Sequence, residues 1–272
     1  MPFTPSHVAA VVPLISSARV RRVLDPWALG VGSMVPDLPM FLPYLDAYTR
    51  WHSPIGIVTD DLVATIVLLA LLRFVFRDPL TALLPGPLAA RLAALPGPAW
   101  RRFPAIVLGA VAGAATHVVW DSFTHDWGAA FWGWSWMTAS VFGRLPGYRL
   151  AQYACSALGL AVVAWWAARG LRSPGTVPLP PRLAMPVPLR RGVLACTGVG
   201  ACCAAAVWTL VDPPNPVFGW AGVVTKTGVG LLVGFCAVLT AYALLWHLLR
   251  LIRWSRTRAR REDHFDTRAT QS

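Results

Sequence analysis

The sequence predicts an all-α, polytopic membrane protein, with about five full transmembrane helices behind a short N-terminal helical hairpin. Hydrophobic residues make up 56% of the chain and charged residues only 13%, about half the charged share of a soluble domain. The apolar residues gather into runs near the ~20 residues that a bilayer-crossing helix requires. Arginines occupy the segments between those runs.

Taken in order, the N-terminus MPFTPSHVAAVVPL has no basic residue before Arg19 and is punctuated by prolines. It lacks the layout of a cleavable signal peptide and is expected to be retained. The apolar pieces 6–18 and 26–37 are each too short to span, and the basic stretch Arg19 to Arg22 joins them. They read as a partly embedded hairpin. The expected spans are 57–76, 104–120, 150–168, 192–211 and 227–249. In the first, Asp60 and Asp61 read as caps of the helix after Thr59, with membership of a functional site as the alternative. Arg73 is expected to snorkel to the interface. In the second, the small residues Gly109, Ala110, Ala112, Gly113, Ala114 and Ala115 permit close approach of the hairpin.

Loop 77–103 carries two Pro-Gly-Pro turns around a short surface helix. The chain is thus expected to divide into a membrane domain 1–168, a stiff Pro-rich linker 169–191, a C-terminal helix pair 192–249 and a basic tail 250–272 that is membrane-contacting or disordered. The five cysteines fall inside apolar runs without metal-type pairing and read as small buried hydrophobes.

The formal charge of +12 does not point to nucleic acid, because the basic residues are spread between apolar runs and form no stripe. They set topology instead. Placing the C-terminus in the cytoplasm puts 20 of the 24 basic residues on that side, leaving Arg50, Arg144, Arg149 and Lys226 opposite. The expected location is a membrane crossed several times, with the C-terminus in the cytoplasm.

That topology brings His7, Asp37, His52, His117, Asp121 and His125 to the extracytoplasmic ends of their elements. His117, Asp121 and His125 close an apolar run at i, i+4 and i+8, a spacing that keeps them on one face of a helix, fanned over roughly 80°. Ionisable groups at a membrane edge are costly and read as functional by default. Taken singly, Asp37 also reads as a turn former, His52 as an interfacial residue and His7 as a polar first-turn residue. Together, imidazole nitrogens and carboxylate oxygens suit a divalent metal, zinc first and iron or manganese next. Six donors suffice for two ions, or for one with supporting carboxylates. The following loop 127–148 is rich in aromatics (Trp127, Phe131, Trp132, Trp134, Trp136, Phe142, Tyr148). It reads as an interfacial belt, or as a lid that admits lipid with Arg144 and Arg149 near a phosphate.

The opening MPFTPSH, the turn GSMVPD, the later WHSP and the block THVVWDSFTHDWG resemble the bacterial membrane proteins of domain of unknown function 4184. They are also similar to inner-membrane metal-dependent hydrolases and, remotely, to zinc-dependent phospholipase C. The resemblance implies His7, Asp37, His52, His117, Asp121 and His125 as ligands. It departs from the phospholipase pattern in a shorter last spacing and in lacking a further His/Glu set, since the sole glutamate is Glu262 in the tail. The implied activity is hydrolysis of an ester or phosphoester, with membrane lipid or a lipid-linked compound as substrate. Asp37 or Asp121 would act as ligand or general base. The alternative is a non-enzymatic membrane protein with a structural or cation-binding site.

Overall fold

The structure, a computed structural model, describes residues 3–42, 48–141, 143, 145–172, 178–211, 213–214 and 219–269, with 221 and 256–269 described by backbone alone. Among these, helices Pro54–Ala82, Trp100–Asp121, Gly147–Arg172, Val187–Val211 and Gly222–Ser255 are long and apolar enough to cross a membrane, and Thr4–Ser16 is a shorter apolar helix. The chain is a multi-pass membrane protein. Its spans expose large apolar side chains such as Val63, Leu158, Val207 and Leu245, which lipid tails accommodate as readily as another helix would. The cysteines follow the same logic: Cys196, Cys202, Cys203 and Cys236 are exposed and Cys155 half-buried, all as free thiols. Apolar runs here face outward as well as inward, so the expectation of buried cysteines fails.

Several elements run further than their apolar cores. The first span passes Arg73 in a π-helical turn, Leu72–Phe76, and continues to Ala82. The last helix, Gly219–Ala269, carries on through the basic tail. Neither glycine nor proline occurs between Gly234 and Ala269, and arginine is a good helix former, so nothing in the tail stops the helix.

Two compact units emerge, Met1–Arg73 with Ala94–Val177, and Phe74–Ala93 with Pro178–Ser272. In the first, the hairpin consists of Val8–Ser16 and Pro26–Gly32. Asp25 starts the second arm: its Oδ1 accepts from the Trp27 and Ala28 amides at 2.9 and 3.0 Å, and Pro26 is preset for a helix's first turn. Its other oxygen accepts from the Ala99 amide at 3.0 Å. The closed end of the hairpin is therefore tied to the start of the helix Phe103–Asp121. Arg102 adds to the tie by donating to the Arg21 and Arg22 carbonyls.

Along the length of that helix, small residues let backbones touch. A Cβ at Gly113 would lie 2.5 Å from the Leu29 carbonyl oxygen and 2.8 Å from the Ser33 nitrogen. Ala28, Leu69, Ile106 and Ala110 form the core where hairpin, first span and second span meet. The N-terminal turn Thr4–His7 in turn packs on the Gly147–Arg172 helix, where a Cβ at Gly159 would meet Ser6 at 2.7 Å.

In the second unit, Pro79 has no N–H for the carbonyl four residues before it, that of Val75. His247 approaches that carbonyl with Nε2 at 2.9 Å. A carbonyl only accepts, so Nε2 carries the proton. The residue is thus a structural donor. Nearby, Tyr242 donates to the Pro79 carbonyl at 3.0 Å. Asp78 meets both Arg182 at 3.4 Å and Arg250 at 3.5 Å.

Candidate metal centre

The first unit gathers its ionisable residues at one place, where the hairpin's open end meets the end of the second span. His117 and Asp121 lie one turn apart in the last part of the helix Phe103–Asp121, both fully buried. His117 Nδ1 is 2.9 Å from the Ser33 carbonyl, so Nδ1 donates and Nε2 keeps its lone pair. His52 follows the short helix Tyr48–Trp51. Its Nδ1 donates to the Tyr48 carbonyl at 3.1 Å, and the Tyr48 ring stacks on it at 4.0 Å. Its Nε2 is likewise left as an acceptor.

Asp37 closes the 3-10 turn Val35–Asp37 and is fully buried. Thr4 donates to its Oδ2 at 2.6 Å, which turns the other oxygen inward. Asp37 Oδ1 lies 3.4 Å from His117 Nε2 and 3.8 Å from His52 Nε2. Asp121 Oδ2 lies 3.4 Å from His117 Nε2 and 3.5 Å from His52 Nε2. The four ligand atoms fall within 4.8 Å of one another. Bonds of ~2.0–2.1 Å to a tetrahedral zinc ion place neighbouring ligand atoms roughly 3.3–3.4 Å apart, close to the four histidine–aspartate separations.

A second feature tests the fit. Asp37 Oδ1, His52 Nε2, His117 Nε2 and both Asp121 oxygens are buried without a hydrogen-bond partner. Buried polar atoms are nearly always satisfied, and here the unsatisfied ones are those that face one another. Two carboxylates balance the charge of one divalent ion, and N2O2 donors suit zinc, iron or manganese. The residues fit a divalent metal.

His7 and His125 flank this quartet. His7 is buried, stacks on His117 with ring centroids 3.8 Å apart, and places Nε2 3.4 Å from Asp121 Oδ1. His125 does not extend the helix face. The helix stops at Asp121, a turn over Ser122–Thr124 follows, and His125 is extended at φ −128° and ψ 159°. The Thr124 amide takes the Asp121 carbonyl at 2.9 Å, which reverses the chain. His125 Nδ1 then reaches that same carbonyl at 3.0 Å and lies 3.6 Å from Asp121 Oδ1. Burial holds its pKa below the ordinary value, and its Nε2 is buried without a partner. Burial, then the charges of Asp37 and Asp121, push the Tyr48 phenol above its usual range, so it stays protonated beside the site.

Thr4, the Ser33 carbonyl and Tyr48 are parts of the arrangement that the sequence did not single out. Thr4 had one available signal: it sits three residues before His7, within the same turn. Asp61, read first as a cap, is fully buried, and Asp60 instead pairs with Arg50 at 2.7 Å.

A cavity of about 520 Å3 lies beside the centre, lined by Ala10, Val119, Trp120, Phe123, Trp136 and Ala151 among others. The Trp120 ring also meets His7 edge-on at 6.4 Å. In the aromatic loop, Phe123, Trp132 and Trp134 stack on one another at 5.0–5.8 Å. Trp132 donates to Ser122 at 3.1 Å, and Arg149 to Gln152 at 3.1 Å. Phe142 and Arg144 lie outside the described residues.

No match is found among curated proteins or among solved structures. The family model described as Domain of unknown function (DUF4184) matches residues 1–247, which takes in every residue of the centre, and the chain belongs to that family.

Proposed function

We propose that the protein is a membrane-embedded, metal-dependent hydrolase acting on an ester or phosphoester, with zinc as the metal. The carrying observation is the set of inward-facing, unpartnered donors on Asp37, His52, His117 and Asp121. A divalent ion there supplies Lewis-acid polarisation of an ester or phosphoryl oxygen and lowers the pKa of water toward ~7. The chain's own residues do the rest. Ser33 and Tyr48 carbonyls fix which nitrogen of His117 and His52 faces the centre, and Thr4 fixes Asp37. Asp37 or Asp121 accepts a proton as general base. His7, through Nε2 on the Oδ1 side of Asp121, and His125, through its unpartnered Nε2, are further ligands. The motif order His, Pro-Asp, His and His-x3-Asp-x3-His, which resembles that of inner-membrane metal-dependent hydrolases and remotely that of zinc-dependent phospholipase C, is in keeping with this chemistry.

The substrate reading is a membrane lipid or lipid-linked compound, supported by the apolar cavity beside His7 and Trp120. The protein resides in a bacterial cytoplasmic membrane with the centre outside and the C-terminus in the cytoplasm. Within each unit, segments assigned to the cytoplasm meet: Arg102 with Arg21 and Arg22, and Asp78 with Arg182 and Arg250.

The depth of burial favours a second reading, a structural or cation-binding site without catalysis, because catalytic sites keep an open coordination position. Metal analysis of the purified protein, followed by a phosphodiesterase and lipase screen, separates the two. Roughly one or two ions per chain with turnover supports the hydrolase; the same ions without turnover on any substrate support the second reading. Full metal retention in His117→Ala and Asp121→Ala would sink both.

A further inference from the structure

Two polar side chains in the first span have no role in the quartet. Asp61 lies in the first turn of the helix Asp60–Leu71 and is fully buried, with neither carboxylate oxygen hydrogen-bonded. It caps nothing, since no side chain bonds the helix start. Thr65, one turn on, is also fully buried, and its hydroxyl has no partner. Other helical threonines behave differently. Thr81, Thr197 and Thr240 each donate to the carbonyl four residues earlier, at 2.6, 2.8 and 2.7 Å. Thr65 forgoes that bond, so its hydroxyl is turned toward something else. Spacing of four puts it on the same helix face as Asp61, giving three unsatisfied oxygens in an apolar helix.

A buried carboxylate must be neutralised. Asp60 has Arg50, but among the described residues Asp61 has no such cation. The helix Asp60–Leu71 packs on the Val35–Asp37 turn and on the second span, where the imidazole nitrogens of His52 and His117 are already committed to carbonyls and to the quartet. A divalent ion in the quartet is balanced by Asp37 and Asp121, leaving no positive charge over. We propose that Asp61 and Thr65 hold a second cation beside the quartet. Its ligands are oxygens only, which selects a hard ion of the Mg2+ or Mn2+ type, completed by water. The inference rests on the quartet holding a divalent ion of its own; it does not depend on what reaction, if any, that ion serves.

The test uses the full chain in detergent, loaded with Zn2+ and then titrated with Mn2+, reading both metals by elemental analysis and free Mn2+ by electron paramagnetic resonance. Zinc content reads the quartet and manganese reads the new position. Wild type is expected to retain zinc and take up about one Mn2+ per chain. Asp61→Asn should weaken Mn2+ binding about tenfold or more, and the near-isosteric Thr65→Val should weaken it by a smaller factor, both with zinc content unchanged. Thr65→Val adds no charge change, so it remains informative if Asp61→Asn fails to fold. Zinc-loaded wild type that takes up no Mn2+ would overturn the proposal, leaving a proton on Asp61 as the neutralising charge. Unchanged Mn2+ affinity in Thr65→Val and Asp61→Asn would overturn it equally. Absence of zinc with Mn2+ still bound would overturn the quartet's part in the argument and is read separately.

Discussion

At the level of single residues, the centre is a matter of which atom faces which. An imidazole can present either nitrogen, and two backbone carbonyls remove the choice for His52 and His117. Thr4 does the same for Asp37. Thr4→Val should therefore weaken zinc binding about tenfold without removing a ligand, measured by competition with a chromophoric chelator; unchanged affinity would show that Asp37 needs no such support. The sequence made His117 and Asp121 conspicuous because two ionisable residues four apart in an apolar run must share a buried helix face. Thr4 and Ser33 were not conspicuous, since a threonine that orients a carboxylate 33 residues away looks like any polar residue near a helix start. Asp61 was visible only as half of an Asp-Asp pair, and sequence cannot say which half turns inward.

Among elements, backbone contact decides. The Pro26–Gly32 arm lies against the second span where Gly113 has no room for a side chain. Gly113→Leu should push the arm away, loosen the Ser33–His117 bond and lower metal occupancy although no ligand is touched. Occupancy equal to wild type in well-inserted protein would mean the arm is only an anchor. The small-residue run announced this contact beforehand. The apolar run was expected to end at 120, but the turn after it was not announced, because Ser-Phe-Thr continues a helix about as readily as it ends one, and only the turn around the Asp121 carbonyl settles where His125 goes. In the other unit, His247→Leu leaves the Val75 carbonyl without that donor and should cost roughly 1–3 kcal/mol. In a Pro79→Ala background the restored N–H should remove most of that cost, a cycle readable from thermal unfolding in detergent. Equal losses in both backgrounds would refute the pairing.

On the scale of the whole molecule, hydropathy and loop arginines govern. Five apolar runs gave five spans because length and apolarity are directly visible in sequence. Their ends moved outward because helix propensity does not stop where hydrophobicity does. A reporter active only in the cytoplasm should work when fused to the C-terminus, and one inserted near Gly143 should work only if it functions outside. The reverse result would place the centre on the cytoplasmic face and remove extracytoplasmic lipids as substrates.

The bond between the Ser33 carbonyl and His117 joins residues 84 positions apart, and that distance has a temporal meaning. During synthesis His7, Asp37 and His52 leave the ribosome long before His117 and Asp121 exist. The early three cannot form the cage on their own, so loading waits until the second span has been inserted and has docked on the hairpin. Nascent chains stalled before residue 117 should accordingly be metal-free, while those stalled well beyond 125 should be competent. Metal content would then report whether the second span has been inserted and docked.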